Sequence, residues 1–349
     1  PNRQELTDLM SLQPAEPARE PVAVLGAGSW GTALAIQFAR AGHPTRLWGR
    51  DTAHIATLAA ARRNERYLGD AEFPDSLSVT DSLTTALHDA LDVVIAVPSH
   101  ALRKLLGEIA PRLAPNVRLA WATKGFEQTT GKLPHQVARE VLGDKFPVAV
   151  LSGPTFAKEV GAGLPTAMTI ASSSDEFAAA LAHSLSAANF RAYTSNDIIG
   201  VEVGGAVKNV LAVGAGLSDG LGFGANTRIA LITRGLAEMT RLGVALGAQK
   251  ETFMGLAGLG DLVLTCTDNL SRNRRFGLAL AAGHSVEQAL AEIGQVVEGY
   301  QAARAVYDVA TREQVSMPIV EGIYRALYEG ASAGDVVSAL MSRPIKSEF

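Results

Sequence analysis

The strongest constraint on this chain lies near its start. Residues 22–25, Val-Ala-Val-Leu, form a short apolar run that leads into Gly26-Ala27-Gly28-Ser29-Trp30-Gly31, and an alanine-rich segment at 32–40 follows. A strand, a glycine-rich turn and a helix in that order admit few folds. Gly26 permits the tight turn, Gly28 leaves room for a pyrophosphate against the backbone, and Gly31 lets helix and strand pack closely, with the helix N-terminus facing the anion. The context predicts a dinucleotide-binding unit, whereas GxGxxG alone would be only a flexible turn.

The N-terminal half repeats this theme. β-rich runs at 45–48, 78–80, 93–97, 118–122, 148–151, 168–171 and 191–194 alternate with alanine-rich segments, which predicts strands joined through helices into a parallel sheet. After about Asn196 the β-rich runs stop, and helical patterns at 227–246, 285–291 and 301–311 take over. The chain of 349 residues therefore divides into three parts. Residues 1–20, with prolines at 14 and 17 and another at 21, read as a flexible leader. Residues 21–196 read as an α/β, Rossmann-like NAD(P)-binding domain, and 197–349 as an all-α domain packed beside it. Sites tend to form in such junctions.

With 47% hydrophobic and 19% charged residues the chain can build large cores, unlike a disordered polypeptide. A net charge of −4 speaks against a nucleic-acid partner but leaves room for a local cluster of cations that binds a small anion. The single cysteine, Cys266, excludes an intrachain disulfide and a thiolate-rich metal site, and is expected to be a small buried residue without chemistry. No uncharged run reaches the ~18 apolar residues of a membrane span, and residues 1–20 lack the apolar core of a secretory signal. A cytoplasmic protein is expected.

Several motifs carry chemistry. The second strand ends in Gly49-Arg50-Asp51, where a guanidinium can stack on adenine and pair with a 2′-phosphate. Arg50 thus favours NADP(H), and Asp51 keeps NAD(H) open. The fourth strand leads to Val97-Pro98-Ser99-His100, where His100 is expected to shape the sheet edge. The fifth brings Thr123-Lys124-Gly125 to the same edge, where a lysine can hold positive charge beside a carbonyl or phosphate. Ser152 to Ala157 forms a loop of small residues able to meet a polar substrate.

The densest region runs from Gly205 through Lys208-Asn209 to Asn226, an apolar, glycine-interrupted stretch at the expected domain junction. Lys208 has few charged neighbours in sequence. Desolvation there would depress its pKa and suit it to acid–base work. Farther on, Gly258-Leu259-Gly260-Asp261 leads to Ser271-Arg272-Asn273-Arg274-Arg275, whose guanidiniums, hydroxyl and amide suggest a phosphate. Arg274 and Arg275 are expected to be solvated, and Asp261 could serve as a helix cap.

Along 205–226 the chain resembles the signature of the bacterial-type NAD(P)-dependent glycerol-3-phosphate dehydrogenases. The other elements fall in that family's order and spacing: Gly26 to Gly31, Thr123-Lys124-Gly125, Ser152 to Glu159, Gly258 to Asp261, Ser271 to Asn273 and Val296-Val297-Glu298-Gly299. The likeness covers about residues 21–340. It implies a helical domain like the C-terminal domain of 6-phosphogluconate dehydrogenase. It further implies that Ser29, Trp30, Arg50, Lys124, Ala157, Arg272, Val296 and Glu298 contact the cofactor beside the turn of Gly26, Gly28 and Gly31. Lys124, Gly153, Thr155, Lys208, Asp261, Ser271, Arg272 and Asn273 would surround the substrate. Thr155 stands where the family can carry serine.

The implied reaction is reversible hydride transfer between NAD(P)H and dihydroxyacetone phosphate, giving sn-glycerol 3-phosphate for phospholipid synthesis. Lys208 would transfer the proton, Asp261 would orient it and Lys124 would add a second charge. No metal is needed, and a homodimer is implied. Two other readings fit the residues less fully: a related two-domain reductase of another hydroxy acid, and a dinucleotide sensor without catalysis.

Overall fold

The structure, a computed structural model, describes residues 19–342 and 344. The leader expected over residues 1–20 lies almost wholly outside them.

Eight strands form one sheet: β1 (Val22–Leu25), β2 (Thr45–Trp48), β3 (Leu77–Thr80), β4 (Asp92–Ile95), β5 (Arg118–Trp121), β6 (Val148–Ser152), β7 (Thr166–Ser172) and β8 (Phe190–Ser195). Their order is β3-β2-β1-β4-β5-β6-β7-β8. Both faces of the sheet are covered, which explains the continuous apolar runs. Val94, Ala120 and Ala149 pack into one core, while Val93, Ile95, Leu119, Trp121 and Val150 pack into another. The order reverses at β1, which pairs with both β2 and β4, so a crevice opens beyond the carboxyl ends of β1 and β4.

The first six strands are parallel, but β7 runs antiparallel to β6 and carries β8 parallel to itself. The wholly parallel sheet expected from the sequence is therefore corrected over its last two strands. The connection explains the reversal. Between β6 and β7 the only helix has six residues, Ala157–Ala162, and rises ~9 Å. The chain would need to travel ~23 Å back along a strand of seven residues to enter β7 in parallel.

Helices α1 (Ser29–Arg40), α2 (Thr52–Ala61), α3 (Glu65–Leu68), α4 (Leu83–Leu87), α5 (Ser99–Ile109), α6 (Pro134–Leu142), α7 (Ala157–Ala162) and α8 (Asp175–Leu185) lie between the strands. Beyond β8 come α9 (Ile198–Gly220), α10 (Gly224–Ala245), α11 (Asp261–Thr267), α12 (Arg272–Ala281), α13 (Val286–Ile293), α14 (Glu298–Arg312), α15 (Pro318–Tyr328) and α16 (Ala333–Met341).

Helix α9 is long and apolar enough to cross a membrane, but 89% of its most apolar window is buried inside the protein. It is the central helix of the helical layer. Its glycines are there for contact: a Cβ on Gly216 would lie 2.0 Å from the Arg274 carbonyl, and one on Gly277 of α12 would lie 2.2 Å from the Val213 carbonyl. Helices α9 and α12 thus meet backbone to backbone. That contact brings Lys208 and the start of α12 onto one side of the layer, opposite the carboxyl edge of the sheet.

Candidate active site

The glycines after β1 are explained by their backbones. Gly26 has φ +125°, and a Cβ there would meet the Ala96 carbonyl at 2.6 Å, while one on Gly31 would sit 1.9 Å from the Gly26 carbonyl. A Cβ on Gly28 would meet nothing within 4 Å, so open space remains above the turn. No side chain caps α1, whose first amides face outward at this point. Trp30, at the second position of α1, carries a buried indole N–H without a partner among the described residues. Open space, uncapped amides and an unpaired donor fit a bound pyrophosphate and its dinucleotide.

The charged centre is built by three elements from distant parts of the chain. Strand β5 delivers Lys124, α9 carries Lys208, and a single π-turn at Leu256–Gly260 leads into α11, which opens with Asp261. Asp261 is 1% exposed. Its Oδ1 accepts from Lys208 Nζ at 2.5 Å and its Oδ2 from Lys124 Nζ at 2.9 Å. Lys208 Nζ also donates to Thr265 Oγ1 at 3.1 Å, and the Thr265 hydroxyl donates to the Asp261 carbonyl at 2.6 Å. The capping role considered for Asp261 is therefore corrected: Gly260 holds the cap position, and the carboxylate faces the two lysines.

Each group is tuned by the others. Burial draws Lys208 down to about 8; the Asp261 carboxylate opposes this and the Lys124 ammonium reinforces it. Burial also acts against charge on Lys124, but Asp261 and then Glu298 more than offset it and hold Lys124 above the usual lysine value. Asp261 is buried too, yet the two ammonium groups keep its carboxyl below the usual range. The centre therefore holds one firmly charged lysine and one that exchanges its proton near neutrality.

A second layer of contacts fixes the far wall. Ser271 caps α12 by accepting from Arg274 N at 3.2 Å. Asn273 donates to Asn209 Oδ1 at 2.8 Å and accepts from Gly299 N at 2.8 Å, and Asn209 donates to Glu298 Oε2 at 2.9 Å. One amide relay thus joins α9, α12 and α14 beside Lys208. Arg274 departs from expectation: it is buried and donates to Asp219 Oδ2 at 2.6 Å, and Arg228 shares that carboxylate at 2.8 Å. Capping places it at the third position of α12, which turns it inward, while Arg275 is exposed.

A cleft of about 300 Å³ runs between sheet and helical layer, lined by Ser29, Trp30, Lys124, Thr155, Ala157, Lys208, Asp261, Ser271, Arg272, Asn273 and Glu298. Val296 is half exposed and lines a smaller recess beside Lys124, Asn209 and Glu298. Besides Val296 and the turn glycines Gly26, Gly28 and Gly31, three residues singled out in the sequence lie apart from the cleft wall. Gly153, with φ +148°, is fixed by its backbone, since a Cβ would come within 2.9 Å of the Met168 Cα. Arg50 is exposed just past β2, and His100 is exposed in the first turn of α5. Cys266 is buried, its thiol pushed up to about 12 by burial, so it is inert as expected.

Sequence reasoning missed Thr265, Tyr67 and Gln295, which also line the cleft. Thr265 had a signal, being one helical turn after Asp261 on the same face. Tyr67 had none, since it reaches the cleft from a segment without a motif, whereas Gln295 directly precedes Val296-Val297-Glu298-Gly299.

A cation pair of this kind beside a dinucleotide turn puts the chain among the dinucleotide-dependent dehydrogenases that join a Rossmann sheet to a helical domain. Comparison narrows the class. The family model described as NAD-dependent glycerol-3-phosphate dehydrogenase N-terminus matches residues 21–178, and its C-terminus counterpart matches 197–338. The chain belongs to this family. A relative from Aeromonas hydrophila, named glycerol-3-phosphate dehydrogenase [NAD(P)+], is 58% identical over 94% of this chain and 98% of its own length. One of the same name from Colwellia psychrerythraea is 56% identical over the same shares. The crystal structure of glycerol-3-phosphate dehydrogenase from Coxiella burnetii superposes with a TM-score of 0.90 at 45% identity, covering 94% of this chain and 100% of that one.

Proposed function

We propose that this chain catalyses reversible hydride transfer between NAD(P)H and dihydroxyacetone phosphate, forming sn-glycerol 3-phosphate. The observation that carries the reading is Asp261 bridging Lys208 and Lys124 in a cleft that also holds Ser271 and Arg272. When bound, the nicotinamide supplies or accepts the hydride. Gly26, Gly28 and Gly31 shape its turn, with Ser29, Trp30, Arg50, Lys124, Ala157, Arg272, Val296 and Glu298 around it.

In reduction, Lys208 donates a proton from Nζ to the oxygen developing at C2 of the substrate. In oxidation it takes that proton back. Lys124 keeps its charge throughout and stabilises negative charge on the same oxygen. Thr265 and Asp261 hold Lys208 Nζ on two sides, which limits the directions in which it can donate. Ser271, Arg272 and Asn273, with Thr155 held by the Gly153 carbonyl, anchor the phosphate end, so binding of a group that does not react places the carbon that does.

The decisive experiment follows loss of the absorbance of reduced nicotinamide when the purified chain meets dihydroxyacetone phosphate, with keto acids as comparison substrates. Oxidation with dihydroxyacetone phosphate alone is the expected result; folded, cofactor-binding protein that turns over only keto acids, or nothing, overturns the reading. The pH dependence has a definite sign. Reduction needs the Lys208 ammonium, so kcat/KM is full at low pH and declines above about 8, whereas oxidation needs the amine and rises through the same value.

We further read the enzyme as preferring NADP(H), with NAD(H) accepted, since Arg50 is exposed just past the end of β2 and its guanidinium can pair with a 2′-phosphate. Arg50→Ala is expected to lower kcat/KM with NADPH by about tenfold or more while leaving NADH nearly unchanged. Equal losses with both cofactors would remove Arg50 from that role. A boundary near residue 196 suits two domains, as β8 ends at Ser195 and α9 begins at Ile198. Family membership supports a cytoplasmic homodimer that supplies phospholipid synthesis.

A further inference from the structure

Helix α9 carries a second buried charge, Glu202, which is 4% exposed and lies outside the cleft wall. Among the described residues its carboxylate accepts three hydrogen bonds, all from the sheet domain. Trp121 Nε1 donates to Oε1 at 2.8 Å, the His135 backbone N–H donates to the same oxygen at 3.0 Å, and His135 Nδ1 meets Oε2 at 2.6 Å. Trp121 is the last residue of β5, and His135 is the second residue of α6. Between them runs the segment that carries Lys124. Both ends of that segment are therefore tied to one carboxylate on the helix that carries Lys208.

The segment has little freedom between its ends. Glu127 accepts from Arg103 of α5 at 2.8 Å through both oxygens and from Thr130 at 2.6 Å. Asp261 meets Lys124 at 2.9 Å and Lys208 at 2.5 Å at once, so the site needs a fixed distance between the segment and α9. We propose that Glu202 is a positioning residue, a strut between α9 and the two ends of the Lys124 segment that sets the spacing of the two lysines about Asp261. A buried carboxylate is costly to keep unless its oxygens are filled, and here all its donors come from across the junction.

The inference rests on the function proposed above, and the pH profile of dihydroxyacetone phosphate reduction tests it. Charged and titratable groups around Lys208 are Asp261 and Cys266 from α11, Lys124 from the β5 segment, Arg272 and Arg275 of α12 and Glu298 of α14, while His135 of α6 faces Glu202. In Glu202→Met, which keeps the side chain's length but removes every acceptor, kcat with NADPH saturating is expected to fall about tenfold or more, because small misplacements of reacting groups are costly. The KM for NADPH stays near wild type.

The alkaline limb moves up, by about half a unit or more, as Lys124 relaxes away and stops repelling the Lys208 proton. Loss of the Glu202 charge acting directly through space would move the limb down, since Lys208 would then give up its proton more easily. A downward shift, or an unmoved limb, overturns the proposal. If Glu202→Met does not fold, Trp121→Phe removes one tether without changing any charge, and a smaller upward shift is required of it. Wild-type protein that fails to reduce dihydroxyacetone phosphate sinks the proposed function; an active wild type with unshifted variants sinks only the role of Glu202.

Discussion

Replacing Lys208 with methionine lowers kcat for dihydroxyacetone phosphate reduction by about 10³-fold or more and leaves the Kd for NADPH within about twofold of wild type. The size follows from the work assigned to the residue, since general acid catalysis by a positioned group contributes about 10² to 10⁴-fold. Lys208 is 7% exposed, and water has little access with which to replace its proton. Methionine fills the space of the aliphatic stem and avoids a large cavity in α9. The cofactor should bind normally, because the open turn at Gly28 and the free amides of α1 lie on the sheet side of the cleft. Rapid-mixing turnover and a fluorescence titration with NADPH check the two halves separately. The remaining activity should also lose its pH limb near 8, which belongs to this lysine. Wild-type-like turnover in Lys208→Met would take Lys208 out of the mechanism.

The reasons some of this was legible in the sequence, and some not, are physical. Strand positions could be read from β-rich runs, continuous and apolar where both faces are covered as in β1 and β6, and all eight lie close to those expected. The direction of β7 could not be read from its own residues, because an apolar run fits either direction and only the shortness of α7 decides. Lys208 stood out as a lysine with few charged neighbours in an apolar, glycine-interrupted stretch. Its partner could be named only through the family resemblance, because Asp261 lies 53 residues from Lys208 and 137 from Lys124, and only the fold brings them together.

The same limit explains Arg274. Within Ser271 to Arg275 the sequence does not say which guanidinium points inward until the cap at Ser271 sets the phase of α12. Glu202 is the clearest omission. A glutamate in a long apolar helix is a buried charge by its surroundings alone, but its donors Trp121 and His135 belong to another domain and to no motif.

Asp261→Asn is expected to cost about 10² to 10³-fold in reduction at pH 7, the range associated with removing one charge-stabilising or acid–base partner. The argument is electrostatic. Asp261 is the carboxylate that holds the proton on Lys208 against both burial and the Lys124 ammonium. Asparagine is nearly the same size but leaves two lysines facing each other in a buried site without a counter-charge. The cheapest escape is for Lys208 to lose its proton. Neutralisation in this way also limits the loss of stability, which should fall below the ~3–5 kcal/mol typical of breaking a buried ion pair. Urea unfolding of the variant measures that loss. The kinetic signature is a shift in sign: Lys208 titrates lower, so the limb of kcat/KM for reduction moves to acid pH and part of the lost activity returns as the pH falls. A limb that stays near 8 in Asp261→Asn would mean that Lys208 owes none of its proton affinity to Asp261, which would then orient the lysine without holding its charge.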